Sequence, residues 1–327
     1  MTVPRWEVPG VEVPLSSLVL GTMTFGDTAD AATAARMLDT ALDAGINAID
    51  TANGYAGGDT ERILGELLPA RRDRVSLATK AGMPHPDAGE HPPLSPKGLR
   101  ASLDGSLARL GVERVDLFYL HQPDRATPIA DTLATLAELI AEGKIGAWGV
   151  SNFAAWQIAE LRHAADQVGV PRPVVAQQLY NLLARRVEEE YVEFARSSGL
   201  RTVVYNPLAG GLLTGRHRFE RDPSSGRFAD SRLAAMYRER YWDERLFDAI
   251  ARLASIADDA GIPLVDLALR WAMGKPVTSA LLLGGSKVEQ LEANIAALGA
   301  GELPADVVDA CDEVGAFLRG PMPAYNR

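Results

Sequence analysis

Residues 115–151 read VDLFYLHQPDRATPIADTLATLAELIAEGKIGAWGVS, and the fold is decided within them. Val115-Asp116-Leu117-Phe118-Tyr119-Leu120-His121 is a short apolar run of the length and composition of a buried strand. Leu133, Leu136 and Leu139 then recur at helical spacing, and Ile145-Gly146-Ala147-Trp148-Gly149-Val150-Ser151 is a second strand. Two strands joined through a helix pair in parallel, because the crossover returns the chain to the same edge. Working outward, the unit repeats. Strand-like runs lie at 18–23, 46–50 and 74–80 upstream, and at 174–179, 201–205 and 279–284 downstream. Between them Met37, Leu38, Ala41 and Leu42 form a helical stripe ending at Gly45. Ile63, Leu64, Leu67 and Leu68 form another, stopped by Pro69, and Leu99, Leu103 and Leu107 a third. Helices around 246–260 and 264–273 precede the last strand. Eight β/α units in roughly 300 residues predict an α/β fold, a (β/α)8 barrel with its helices outside. An open doubly wound sheet expects Gly-x-Gly-x-x-Gly after the first strand. Gly21-Thr22-Met23-Thr24-Phe25-Gly26 has the wrong spacing. No linker divides the chain, so 1–327 reads as one barrel domain. The least regular stretch, 214–241, is a candidate functional loop, and 318–327 reads as a tail without helical pattern.

Composition narrows the function. With 47% hydrophobic and 23% charged residues, the chain has ample apolar side chain for a large core. A net charge of -10 disfavours nucleic acid and anionic membrane surfaces as partners. The one cysteine, Cys311, leaves no internal disulfide and fits a reducing cytoplasm. The first ten residues, with Pro4, Glu7 and Pro9, do not resemble a signal peptide. No apolar run reaches the ~18 residues of a membrane span. His85 and His91 lack a cysteine or an i, i+4 partner, so no metal is expected.

Polar residues at the C-terminal ends of barrel strands are the default catalytic candidates. These ends supply Asp50, Lys80, His121, Ser151 with Asn152, Gln178 and Tyr205, and Tyr55 follows Asp50 by a short turn. Singly, each has an ordinary explanation: a cap, a solvated charge, a structural donor, a half-buried ring. Together they have the parts of a carbonyl reductase. A phenol with a pKa of about 10 yields its proton reluctantly. An ammonium at Lys80 is expected to lower that value, with Asp50 orienting Lys80 and His121 placing the substrate oxygen.

The motifs Asp50-Thr51-Ala52-x-x-Tyr55, Ala78-Thr79-Lys80, Asp116-Leu117-Phe118-Tyr119-Leu120-His121 and Gly149-Val150-Ser151-Asn152-Phe153 resemble those of the aldo-keto reductases. So does Gly284-x-x-x-x-Glu289-Gln290-Leu291-x-x-Asn294. The loop Asn206-Pro207-Leu208-Ala209-Gly210-Gly211-Leu212-Leu213-Thr214-Gly215-Arg216, with Gly226-Arg227-Phe228, Tyr237-x-x-Arg240-Tyr241-Trp242 and Pro323-x-Tyr325-x-Arg327, is similar to the aflatoxin aldehyde reductase and succinic semialdehyde reductase branch. The resemblance implies Tyr55 as proton donor in a tetrad with Asp50, Lys80 and His121. It implies NADPH as cofactor, with Tyr205 on the nicotinamide and Ser151, Asn152 and Gln178 on its carboxamide. Met23, Asp50, Asn206, Pro207, Leu208, Gly210, Leu212, Gly215, Arg216 and Arg227 would line the rest of the cofactor. Ser286, Lys287, Gln290 and Asn294 would surround its adenosine end. Tyr55, His121, Tyr237, Arg240 and Arg327 would face the substrate, and the two arginines would hold a carboxylate such as that of succinic semialdehyde. The C-terminal tail would lie over the barrel mouth. The implied protein is a cytoplasmic enzyme acting on small carbonyl compounds, with a homodimer as an assembly to test. Its rivals are a ketoreductase of a nucleotide sugar or secondary metabolite and an NADPH-binding regulatory subunit of a potassium channel. The sequence departs from the branch at Lys287, where a small hydroxyl residue is common, at Gln122-Pro123-Asp124, and over 83–94, which has four prolines and no counterpart in the match.

Overall fold

A computed structural model of the chain describes residues 3–321. The chain begins with a short antiparallel pair, β1 (Arg5–Trp6) and β2 (Leu15–Ser16), with Trp6 opposite Leu15. Strands and helices then alternate: β3 (Leu18–Gly21), α1 (Ala31–Asp43), β4 (Ala48–Asp50), α2 (Asp59–Leu67), β5 (Ser76–Ala81) and α3 (Pro96–Leu110). They continue as β6 (Val115–Leu120), α4 (Ile129–Ala141), β7 (Ile145–Ser151), α5 (Ala155–Val168), β8 (Val175–Leu179), α6 (Tyr191–Ser197) and β9 (Arg201–Tyr205). After α7 (Ala234–Tyr241), α8 (Glu244–Asp259) and α9 (Leu264–Gly274) comes β10 (Ala280–Leu283), followed by α10 (Val288–Gly299) and α11 (Ala305–Arg319). Strands β3 to β10 pair in sequence order, all parallel, and β10 closes on β3. The (β/α)8 barrel expected from the strand–helix alternation is the fold.

Period-two alternation sorts each strand's side chains. Leu20, Ile49, Leu77, Phe118, Trp148 and Val204 face outward and pack under the helices. Val19, Ala48, Ala78, Leu117, Tyr119, Ala147, Val175, Val203 and Ala280 fill the interior. Val8 and Leu15, with Trp6 beside them, close that interior from the N-terminal end. Side chains at the C-terminal ends therefore share the one open mouth. Local signals fix the helix ends. Asp30 caps α1 by accepting the Thr33 N–H, and Ser95 caps α3 by accepting that of Gly98.

Several boundaries differ from the sequence reading. The strands begin or end up to two residues away from the expected limits. The stretch 214–241 is irregular only until Ala234, where α7 begins. Helix α11 runs to Arg319, so the tail expected from Leu318 starts later. Residues 322–327, with Arg327, lie outside the described residues. The proline-rich stretch 83–94 is anchored at both ends. Asp87 meets Arg109, and the Leu94 N–H donates to Asp124 at 3.0 Å.

Candidate active site

Strand β4 ends at Asp50, whose register partner on β5 is Ala78, and Lys80 is the next residue of β5 on that same inward face. Asp50 and Lys80 are both buried. Lys80 Nζ donates to Asp50 Oδ1, to the Thr51 carbonyl at 2.9 Å and to the Tyr55 hydroxyl at 3.2 Å. The three donors of the ammonium are thus all engaged. The second oxygen of Asp50 accepts from Gln177 Nε2 at 2.8 Å. Beyond β6, the His121 ring meets the Tyr55 ring edge-on at 5.9 Å.

The electrostatics follow from burial. Burial raises the Tyr55 pKa above that of a free phenol; Lys80 pulls it down, Asp50 pushes it up, and the net direction is up. The expectation that Lys80 leaves this phenol with a lowered pKa is therefore corrected: desolvation of the phenolate outweighs the ammonium. Burial alone would lower Lys80, but Asp50 and Tyr55 more than offset it, and Lys80 stays charged. Burial, aided by Lys80, drives His121 down to about 3, so its imidazole is neutral. Its Nδ1 is buried without a hydrogen-bond partner among the described residues. A neutral imidazole, a protonated phenol and an ammonium at one mouth can deliver a proton to an oxygen and steady the anion left behind.

Around this centre Ser151 Oγ donates to the Gln177 carbonyl, and Asn152, with φ 63°, donates to the carbonyl of His121 at 2.9 Å. The Tyr205 hydroxyl donates to Asn152 Oδ1 at 2.7 Å. Burial raises the Tyr205 pKa to about 12 against the pull of Arg240, with Tyr237 and Tyr55 also close enough to act on it. Tyr237 is buried and lies 5.7 Å below the exposed Arg240 guanidinium. Gln178 faces elsewhere: its amide is spent on the Phe153 carbonyl at 2.8 Å. The glutamine that points into the barrel is Gln177, which the sequence reading passed over. Strand phase locates it, since Val175 faces inward and Gln177 is two residues on.

The remaining residues named from the resemblance fall into the loops after β3, β9 and β10 and into helix α10. Half-buried Met23 lies just beyond β3, where Thr24 Oγ1 ties that loop to the Gly285 carbonyl at 2.7 Å. In the loop after β9, Asn206 turns its side chain back on Tyr241 and on the Gly210 N–H. Pro207 and Leu212 are buried, Leu208 is half-buried, and Gly210 and Gly215 have φ 70° and 71°. A Cβ on Gly210 would come within 2.6 Å of the Tyr237 ring, so only glycine fits beneath it. Arg216 is exposed against Gly226, and Arg227 lies over Tyr237 with Nη1 buried, without a hydrogen bond among the described residues and ion-paired with Asp27 at 3.8 Å. Strand β10 separates this loop from β3 in the barrel, and its own loop holds Ser286, whose N–H donates to Gln290, and the exposed Lys287 at the start of α10. Asn294 is buried in α10.

Residues 17–316 match the model of the aldo/keto reductase family. The chain is 39% identical to aflatoxin B1 aldehyde reductase member 2 of Rattus norvegicus, over 94% of this chain and 87% of that protein. It is 40% identical to aldo-keto reductase family 7 member A3 of Homo sapiens, over 94% and 96% of the two chains. It is also 34% identical to a probable voltage-gated potassium channel subunit beta of Arabidopsis thaliana, over 87% and 88%.

Proposed function

Because this chain belongs to the aldo/keto reductase family, and is an oxidoreductase of carbonyl compounds, we propose that it reduces small aldehydes with NADPH, Tyr55 giving the proton. The buried contact of Lys80 with both Asp50 and Tyr55, beside a neutral His121, carries the reading. Tyr55 protonates the carbonyl oxygen. Lys80 stabilises the phenolate that remains, and Asp50, itself fixed by Gln177, keeps Lys80 charged and aimed. His121 donates from one ring nitrogen to the oxygen and orients it. A reduced nicotinamide supplies the hydride to the carbon.

The residues present suit a phosphorylated dinucleotide. Arg227 Nη1 is a buried donor that makes no hydrogen bond among the described residues and has only the Asp27 carboxylate at 3.8 Å for charge, and Arg216 lies close by against Gly226. Lys287 at the start of α10 would meet a 2′-phosphate as a point charge. Ser151, Asn152 and Tyr205 border the tetrad, where a nicotinamide would sit. On the substrate side Arg240, beside Tyr205 and Tyr237, would take a carboxylate, as in succinic semialdehyde, with Arg327 joining it. The whole of 1–327 would act as one barrel in the cytoplasm, alone or as a homodimer.

The test is NADPH oxidation over a panel of carbonyl compounds, each with its uncharged analogue, in the parent and in Tyr55→Phe. Turnover reduced about 10²–10⁴-fold in the variant is expected. Tight NADPH binding without turnover of any carbonyl would overturn the reading in favour of a regulatory subunit.

A further inference from the structure

A second buried charge cluster lies on the outer face of β5. Lys80 points into the barrel, so its neighbour Thr79 points out, towards α2 and α3. The Thr79 hydroxyl donates to Glu61 Oε1 at 2.6 Å, and Glu61 is fully buried. Arg109 of α3 donates through Nε to Glu61 Oε2 at 2.8 Å. Its two terminal nitrogens donate to the carboxylate of Asp87 at 3.1 and 2.7 Å. A carboxylate this deep is tolerated only when paired and hydrogen-bonded. The proton delivery derived above needs no charge here.

The cluster sits where the two halves of the proton-donating pair join. Helix α2 starts directly after the turn that carries Tyr55, and Glu61 is its third residue. Within that turn Ala56, Gly57 and Gly58 all have positive φ, of 48°, 66° and 95°. Three left-handed residues in succession, two of them glycine, make a pliant link. The Arg109 stem packs against it, since a Cβ on Gly58 would come within 3.0 Å of Arg109 Cδ. Thr79, one residue from Lys80, is gripped by the same carboxylate that grips Arg109.

We infer that Glu61 is a positioning residue: by holding Thr79 and Arg109 together it clamps the Tyr55 turn against β5 and sets the contact between Lys80 and Tyr55. The inference rests on the proposed roles of those two residues. The proline-rich stretch 83–94 hangs from the same guanidinium through Asp87, which gives it a structural reason to be there.

Thr79→Val removes the hydroxyl, keeps the shape and leaves the Glu61–Arg109 pair intact. A longer Lys80–Tyr55 contact weakens the ammonium's pull on the phenol. The other groups facing Tyr55 are Asp50, His121, Tyr205 and Tyr237, and they are unchanged. The alkaline limb of kcat therefore moves to higher pH, and its plateau falls about 10-fold, short of the ~10²-fold that a 1 Å misplacement costs. KM and cofactor affinity stay near the parent values. Tyrosinate absorbance, taken as the difference from the matching Tyr55→Phe protein, shows the same upward shift and needs no turnover. It stands even if the protein reduces no carbonyl. Thr79→Ser restores both readouts. Glu61→Gln, which keeps the size and one acceptor, moves them in the same direction, and it decides the matter if Thr79→Val does not fold. Parent kcat with an unmoved Tyr55 titration in either folded variant, or failure of Thr79→Ser to rescue, would overturn the inference.

Discussion

Replacing Lys80 by Met removes the cation from the tetrad while keeping much of its buried volume. Asp50 is only 2% exposed, and without Lys80 its one side-chain donor among the described residues is Gln177 at 2.8 Å. Removing one partner of a buried pair costs about 3–5 kcal/mol, most of it the charge left behind. At about 2.1 cal/mol/K per residue, a chain of 327 residues has an unfolding entropy of about 0.7 kcal/mol/K, so Tm should fall by about 4–7 °C. Activity should fall for a separate reason, since nothing then counters the burial that raises the Tyr55 pKa. A loss of about 10²–10⁴-fold in kcat is expected. The double variant Asp50→Asn/Lys80→Met separates the two effects. With both charges gone most of the lost stability returns, while kcat stays low because the ammonium is still missing. Calorimetry and NADPH-oxidation kinetics on the parent, the single and the double variant make the measurement. A single variant as stable as the parent, or a double variant with restored kcat, would refute the reasoning.

With His121 neutral above about 3, kcat should show no limb near 6.5, and Tyr55 should set an alkaline limb above the range of a free phenol. A limb near 6.5 that vanishes in His121→Gln would contradict this. The same group makes the fold acid-sensitive. Its folded pKa lies below its unfolded value, so the unfolded chain gains the proton first as pH falls through about 6.5. Stability should decline from there to about pH 3 and then level off, and urea titrations of His121→Gln should show a shallower slope. Gln177→Leu should lower both kcat and stability, the latter by about 1–3 kcal/mol, by leaving Asp50 short of a donor. Gln178→Leu should leave kcat near the parent value, and the reverse ranking would mean that the strand phase is misassigned.

The barrel was legible because strands buried on both faces read as continuous apolar runs. Polar residues such as Asp50 and Lys80 stand out against them at the strand ends. Helices α5 and α11 escaped because Ala155, Ala165 and Gly315 dilute their buried faces. Adjacent glutamines at 177 and 178 differ only in phase, and a one-residue choice sends the amide to opposite sides of the strand. The direction of the Tyr55 shift needs the depth of burial, which no motif encodes. Glu61 and Arg109 stand 48 residues apart, with Asp87 between them in sequence, so their union exists only once α2 and α3 pack.

The hairpin of β1 and β2 lies at the far end of the barrel from the chemistry, yet its side chains share a cavity with Asp50. One apolar cavity is lined by Trp6 and Leu15 of the hairpin, by Val19, Ala48, Tyr119 and Val203 of the barrel, and by Asp50. Val8 and Leu15, packed into the barrel interior, stand between this cavity and the N-terminal end. Attraction between unit charges at a given distance scales inversely with the local dielectric, from about 80 in water to about 20 or less in such an interior. A leak at the floor would weaken the hold of Asp50 on Lys80 and ease the burial of Tyr55 without displacing an atom of the tetrad. Substitutions at Trp6, Val8 or Leu15 that admit water would then act on proton transfer from the opposite end of the molecule through the local permittivity.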